Sequence, residues 1–339
     1  MKTGARYTFC PAAILFALLP STPSHAATTS LNDQPLSLAS DRWPPFTDTY
    51  QETRFALDIV HLALLRTGIE ANTRILNEWT LPADLKAGKY DGSAALWKTP
   101  ERAKYLHFSE PYLENRLILI GRKGLDVSAK SLHALNNKRI ALVEGYAYGD
   151  LLNDTQDLAI HYGKSDIANI HSLLRGDTDY ALVDSLVVQH LAREQATKAE
   201  KHLAIGPEPL LIQPLHLALR EDLKNARSIL ERFNEQIRIM QADGTYNRIL
   251  RLSWIRTDID QDGRTELVQG GEAIGPDAPV EAYDITYTQR MLDSVEARER
   301  YWIDGRFYDD WSQVRTAYPE ARAPVPADMD GLLLFKQTF

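Results

Sequence analysis

Cysteine is nearly absent from the 339 residues: the one thiol is Cys10, ahead of the apolar stretch Ala12 to Leu19, where it cannot be a lipid-anchor cysteine at a cleavage site. A chain beginning near Ala27 therefore holds no thiol, which excludes disulfides, cysteine nucleophiles and Cys-ligated zinc together. No apolar run approaches the ~20 residues that a membrane span needs, so no anchor is expected after the signal is removed. Runs of Lys or Arg are missing too, and with them the basic stripe of a nucleic-acid partner. His107, His133, His171 and His216 are scattered without metal-ligand spacing, and no repeat of solenoid period occurs. What is present is ordinary soluble composition, 44% apolar and 25% charged, which excludes disorder and fibrous folds.

The formal charge of -8 is unevenly spread: residues 258–339 hold 17 Asp/Glu against 8 Lys/Arg, a net of -9, so the acidity belongs to the tail. At the other end, Lys2 and Arg6, the apolar stretch and Ser24-His25-Ala26 read as an export signal over residues 1–26. An exported, cysteine-free chain suits a bacterial periplasm.

From Leu36 onward, strand-length apolar runs alternate with helical patterns. Leu36–Ala39, Ala94–Trp97, Leu117–Ile120, Ile140–Val143 and Ala181–Val183 have strand length, while Phe55–Leu65 puts Phe55, Ile59, Leu62 and Ala63 on one helical face. Asp184 ends one of these runs at a carboxyl end, the edge where open α/β sheets bind ligands. Pro207, Pro209 and Pro214 punctuate a return segment before Leu215–Leu219, and an amphipathic helix is expected over about Leu223–Ala242. Gly88 and Gly176 read as helix-ending turns. After Trp254 the texture changes to an appendage of roughly 80 residues with Gly-rich and Pro-rich breaks.

Taken in order, the chain shows Trp43-Pro44-Pro45-Phe46, Arg54-Phe55-Ala56-Leu57-Asp58-Ile59, Leu85-Lys86-Ala87-Gly88-Lys89-Tyr90-Asp91, Thr99-Pro100-Glu101-Arg102 and Phe108-Ser109-Glu110-Pro111-Tyr112. Glu144-Gly145, Arg175-Gly176-Asp177-Thr178-Asp179-Tyr180-Ala181 with Asp184, and Ala242-Asp243-Gly244-Thr245-Tyr246 follow. This string resembles the periplasmic amino-acid-binding family of solute-binding proteins that serve ABC transporters, over about residues 35–255. The resemblance implies an α/β, two-lobed type II periplasmic-binding fold closing on its ligand by a hinge. Lobe 1 would be residues 35–118 plus 215–255, lobe 2 residues 119–212, and 256–339 a small α+β appendage.

The resemblance also implies site residues. Arg102 would bind the ligand's carboxylate, for which a guanidinium fork is suited, with Thr99 in a structural, helix-capping role. Asp184 would accept from the ligand's ammonium, or serve as the N-cap of the helix that follows it; the two can coexist. Ala95 and Trp97 stand where the family commonly has glycine and a hydroxyl residue. Trp97 then either stacks on the ligand or packs between lobe elements. Gly145 keeps a second-lobe glycine, beside which Tyr146 replaces a small hydroxyl residue. Trp43, Phe46, Trp79 and Tyr148 are candidate walls.

In the appendage, Asp258-x-Asp260-x-Asp262-Gly263-Arg264-x-Glu266 resembles the start of an EF-hand calcium loop. Carboxylates at the first, third and fifth places converge on one ion, glycine permits the turn, and the next carbonyl, that of Arg264, points inward. Gln269 takes the place of the usual bidentate glutamate, and Glu266 is the substitute; the other reading is a solvated acidic turn. Tyr301 to Tyr308 reads as a hairpin around Asp304-Gly305, packed on lobe 1 or docking another protein. The expected function is non-enzymatic: a monomer binding an amino acid or related zwitterion for an ABC permease. A sensing or accessory role on the same scaffold stands as the alternative, and an enzyme using Glu52, Glu78 or Glu144 is the weaker one.

Overall fold

Strand-length apolar runs and helical patterns alternate through the first half of the chain as βα units. The computed structural model describes residues 34–49, 53–76, 80–153, 155, 157–270, 282–285 and 300–321. In it, β1 (Leu36–Asp41), α1 (Phe55–Arg66), β2 (Ala71–Leu76), α2 (Leu81–Lys86) and β3 (Gly92–Trp97) follow in order, with β1 parallel to β2 and β3. Every residue of β3 is buried, as expected of a strand covered on both faces. The apolar face of α1, with Phe55, Ile59 and Ala63, joins Ile229, Phe233 and Met240 of α5 (Ala226–Ala242) in the main core.

Two long strands cross between the lobes. β5 (Leu113–Arg122) and β9 (Leu203–Arg220) run antiparallel, from Leu113 opposite Leu215 to Arg122 opposite Leu203. The end of β9 pairs with β3 and with β4 (Leu106–Phe108) in lobe 1. On the other side β5 pairs with β8 (Tyr180–Asp184), followed by β6 (Arg139–Val143) and β7 (Ala159–Gly163) in lobe 2. The sheet order is thus β2-β1-β3-β9-β5-β8-β6-β7. Pro207, Pro209 and Pro214, read from sequence as punctuation, lie inside β9. They are tolerated because this part of β9 pairs with β5 alone, leaving one edge without a ladder, and the register shifts around Ile118, opposite Pro209.

In lobe 2, α3 (Asp166–Arg175) begins at Ser165, whose hydroxyl accepts from the Ala168 amide at 3.1 Å. It ends at Gly176, left-handed at φ 84°. α4 (Ser185–His202) follows β8 directly, and α6 (Thr245–Leu250) closes the first lobe. Among the described residues no helix is long and apolar enough to cross a membrane.

The appendage is a five-stranded sheet, β12-β10-β11-β13-β14, made from β10 (Trp254–Thr257), β11 (Glu266–Gln269), β12 (Tyr283–Asp284), β13 (Arg300–Ile303) and β14 (Arg306–Tyr308), with α7 (Trp311–Ala317) beside it. It begins at Trp254, ahead of the boundary expected at 256. Trp254, Tyr301 and Trp311 form its own small core, their rings edge-on at 5.2 to 6.3 Å. The other side is bound to lobe 1. Trp302 Nε1 donates to the Ala242 carbonyl at 2.8 Å and Asn247 Nδ2 to that of Val268 at 3.0 Å. A Cβ at Gly270 would come within 2.0 Å of Asn247, so this seam requires glycine. Tyr283 reaches the crossing strand, donating its hydroxyl to the Glu114 carbonyl while its ring lies 4.5 Å from the Arg116 guanidinium.

Candidate functional site

The carboxyl ends of β1 and β3 in lobe 1 face the segment after β6 and the start of α3 in lobe 2. Between them lies a pocket with an interior of about 60 Å³, lined by Asp41, Arg42, Trp43, Thr47, Ala95, Trp97 and Arg102 from lobe 1 and by Gly145, Tyr146, Ala147, Lys164 and Ser165 from lobe 2. Six residues predicted from sequence meet here: Arg102, Trp97, Ala95, Trp43, Gly145 and Tyr146. Phe46 and Tyr148 are not among the lining residues. Phe46 is fully buried against the Trp43 ring at 4.6 Å, and the Tyr148 hydroxyl accepts from the Val143 amide at 2.7 Å. Trp79, Glu52 and Glu78 lie outside the described residues; Glu144 is exposed.

Local structure fixes Arg102 from two sides. Its amide donates to the Thr99 hydroxyl at 3.3 Å, and its Nη1 donates to the Trp97 carbonyl at 2.7 Å. One donor of the guanidinium is thereby used to orient the fork, and the group lines the pocket half-buried. Asp41 ends β1 beside it. Burial pushes the Asp41 carboxyl up to about 6, against the opposing pull of the Arg102 charge. Its Oδ1 is buried without a hydrogen-bond partner among the described residues, an expensive condition for a carboxylate that nothing binds.

Asp184 does not line this pocket. It is fully buried, with Oδ1 accepting from the Leu186 amide at 2.7 Å and Oδ2 from the Arg116 amide at 3.0 Å and from Asn115 Nδ2 at 3.2 Å. It caps α4, so of the two roles open to it the structure places it in the structural one. Oδ1 is spent because the following helix starts at once and its first amides need an acceptor, and Oδ2 is spent on donors of β5. Burial, with Asp166 nearby, raises its pKa.

Asp166 was not singled out by sequence reasoning, yet it joins the lobes. Trp43 Nε1 from lobe 1 donates to its Oδ2 at 3.1 Å, and the Tyr146 hydroxyl donates to the same oxygen at 2.9 Å. The rings of Trp43, Trp97 and Tyr146 pack edge-on with centroids 5.1 to 5.7 Å apart. Trp97 Nε1 is held by Asn115 Oδ1 at 2.8 Å. The polar tips of all three rings therefore point away into the protein, and the pocket meets their carbon surfaces. Lys164, also missed, lines the pocket from lobe 2 and is exposed.

In the appendage, carboxylate oxygens of Asp258, Asp260 and Asp262 lie within 4.8 Å of one another. Gly263 turns at φ 84° with its amide on Asp258 Oδ2 at 3.0 Å, and the Arg264 amide donates to Asp262 Oδ1 at 2.8 Å. A guanidinium is already present: Arg300 donates to Asp260 at 3.0 Å, to Asp262 at 3.3 Å and to Glu266 at 2.6 Å. The loop exits into β11, not into a helix. Along a strand successive side chains alternate faces, so Gln269 projects opposite to Glu266 and is removed from the predicted ligand set.

The comparisons with known proteins agree with this architecture. Residues 36–256 match the family described as bacterial extracellular solute-binding proteins, family 3. The ABC transporter arginine-binding protein 1 of Escherichia coli is 29% identical over half of this chain and 68% of its own length. The L-cystine-binding protein TcyJ of the same species is 26% identical over 64% of this chain and 80% of its own. Among solved structures, an ancestral arginine-binding protein bound to arginine superposes with a TM-score of 0.53 at 23% identity, covering 64% of this chain and 96% of that one. The ligand-binding core of GluR0 from Nostoc punctiforme, in complex with L-glutamate, does so with 0.53 at 20%, covering 63% and 97%. Matched along most of the two-lobed core, with the cleft between its lobes, the chain belongs to the bacterial extracellular solute-binding proteins of family 3.

Proposed function

We propose that the chain binds a small amino-acid-like solute in the periplasm and delivers it to an ABC-type permease, with Arg102 gripping the ligand's carboxylate. The supporting observation is the Arg102 fork, aimed by Thr99 and the Trp97 carbonyl into a pocket between the lobes, with a buried carboxylate beside it. A guanidinium forms two parallel charge-assisted bonds to a carboxylate, and losing one partner of a buried charge pair costs about 2–5 kcal/mol. Native mass spectrometry of the gently purified protein should identify a retained amino acid, and calorimetry with that compound should show Arg102→Ala binding at least about thirtyfold weaker. An affinity changed less than threefold overturns the assignment.

A second reading, sensing in place of delivery, is favoured by one observation: the lobes are held together by the Trp43–Asp166 bond and by aromatic side chains that fill much of the cleft. Protein that retains no solute and binds none of the amino acids supports this reading over the first.

For the appendage we propose that calcium binds the loop 258–266 in competition with Arg300. Asp258, Asp260, Asp262 and Glu266 supply hard oxygen ligands with a carbonyl expected from Arg264. The convergence of the three aspartates supports this reading. The guanidinium already among them sets its condition, since the ion must displace Arg300.

A further inference from the structure

We infer that the cleft selects an anionic amino acid, an α-amino dicarboxylate, with Arg102 and Asp41 taking the α-carboxylate and ammonium and Lys164 of the opposite lobe taking the second carboxylate. This deepens the carboxylate-binding reading above and rests on it. Four lining groups carry charge. Arg42 is matched by Asp48, bonded at 3.0 and 3.3 Å, which leaves Arg102, Lys164 and Asp41 to meet a ligand. They form two cationic poles and one anionic pole, the complement of two carboxylates and one ammonium.

Glu144, whose amide donates to the Gly163 carbonyl, is exposed and is not among the lining residues, and two further carboxylates near the cleft leave this count unchanged. Asp166 and Asp184 stand behind the wall with their oxygens taken by Trp43, Tyr146, Asn115 and backbone amides, and burial favours their neutral forms. The aromatic faces offer carbon surface to a short methylene chain and no polar atom to a neutral amide, because the ring N–H and O–H groups point inward. A cationic side chain would bring a third positive charge beside Arg102 and Lys164. Those two cations line the same pocket from different lobes, so like charge opposes drawing the lobes together around an empty or cation-filled cleft. A ligand with carboxylates at both ends removes that opposition.

Calorimetry on the full-length exported protein with L-glutamate, L-aspartate, L-alanine and L-arginine tests the assignment. One of the two acidic amino acids should bind at least about tenfold tighter than L-alanine, and L-arginine should bind weakest. Lys164 is exposed, so Lys164→Gln should fold, and it should shrink the preference for the acidic ligand over L-alanine at least about fivefold. Tighter binding of L-alanine or L-arginine, lost in Arg102→Ala, overturns the charge assignment and leaves the carboxylate reading standing. Binding of none of the four, with no retained solute, overturns both. An unchanged preference in Lys164→Gln removes Lys164 from the site.

Discussion

Asp41 carries a conflict between stability and binding within a single side chain. In the folded protein burial lets its carboxyl keep a proton up to about pH 6, whereas an aspartate in water gives its proton up near 3.8. Between these values the native state binds more protons than the unfolded chain, so stability falls as pH rises through that window and stays lowered above it. Asp41→Asn cannot ionise and escapes that loss. Its melting temperature should exceed that of the wild type by a few degrees, roughly, at pH 7.5, and the gap should close as pH falls toward 4. Scanning fluorimetry across that range checks both limits. A variant melting below the wild type at pH 7.5 would show that Arg102's need for a counter-charge outweighs the burial. This residue was legible in principle, since it ends an apolar strand at a carboxyl edge, the same signal that drew attention to Asp184. What sequence does not carry is which way such a carboxylate turns. Asp184 is followed at once by a helix whose amides claim it; Asp41 is followed by Arg42 and a turn, and its side chain is left facing the pocket.

At the scale of elements, the start of α3 concentrates the second lobe's share of the cleft. Lys164 and Ser165 line the pocket, and Asp166 in the first turn receives Trp43 and Tyr146. The helix must be held firmly for these three to keep their places. Ser165 does this by accepting from the Ala168 amide, and its replacement by alanine leaves that end uncapped. Ser165→Ala should lower stability by about 1 kcal/mol in urea unfolding, and weaken ligand binding by loosening Lys164 and Asp166. A stability loss below about 0.3 kcal/mol would mean that the Asp166 contacts alone hold the turn. Elements with a strong period were plain from sequence, among them α1, α5 and the buried strand β3. β9 was broken by its prolines, because the pattern does not show that its proline-bearing half has a pairing partner on one side only. The role of Asp166 was hidden for a related reason: its donors are 123 and 20 residues away, and no local spacing records them.

Across the whole molecule, the two crossing strands join the lobes and the appendage leans on one of them. Tyr283 bonds to the Glu114 carbonyl and lies against Arg116, both on β5, while Glu266 and Arg300 tie the acidic loop to β11 and β13 of the same sheet. Arg300 is the cation that lets four carboxylates share this corner; Glu266 is fully buried there, and burial raises its pKa. Replacing Arg300 by glutamine removes the positive charge and leaves the carboxylates to repel one another. In chelator, Arg300→Gln should therefore melt lower than the wild type, the loss expected when a buried ion pair is broken on one side only. Calcium should restore much of that loss through mass action, about 2.7 kcal/mol at a hundred times the dissociation constant if the native state alone binds it. In the wild type, where the ion must first displace the guanidinium, the calcium shift should be smaller at the same concentration. Asp258→Ala in the Arg300→Gln background should abolish the rescue, since Asp258 Oδ1 is the oxygen of this cluster buried without a hydrogen-bond partner among the described residues. Equal indifference of both proteins to millimolar calcium and to chelator would reduce the loop to an acidic turn held by Arg300.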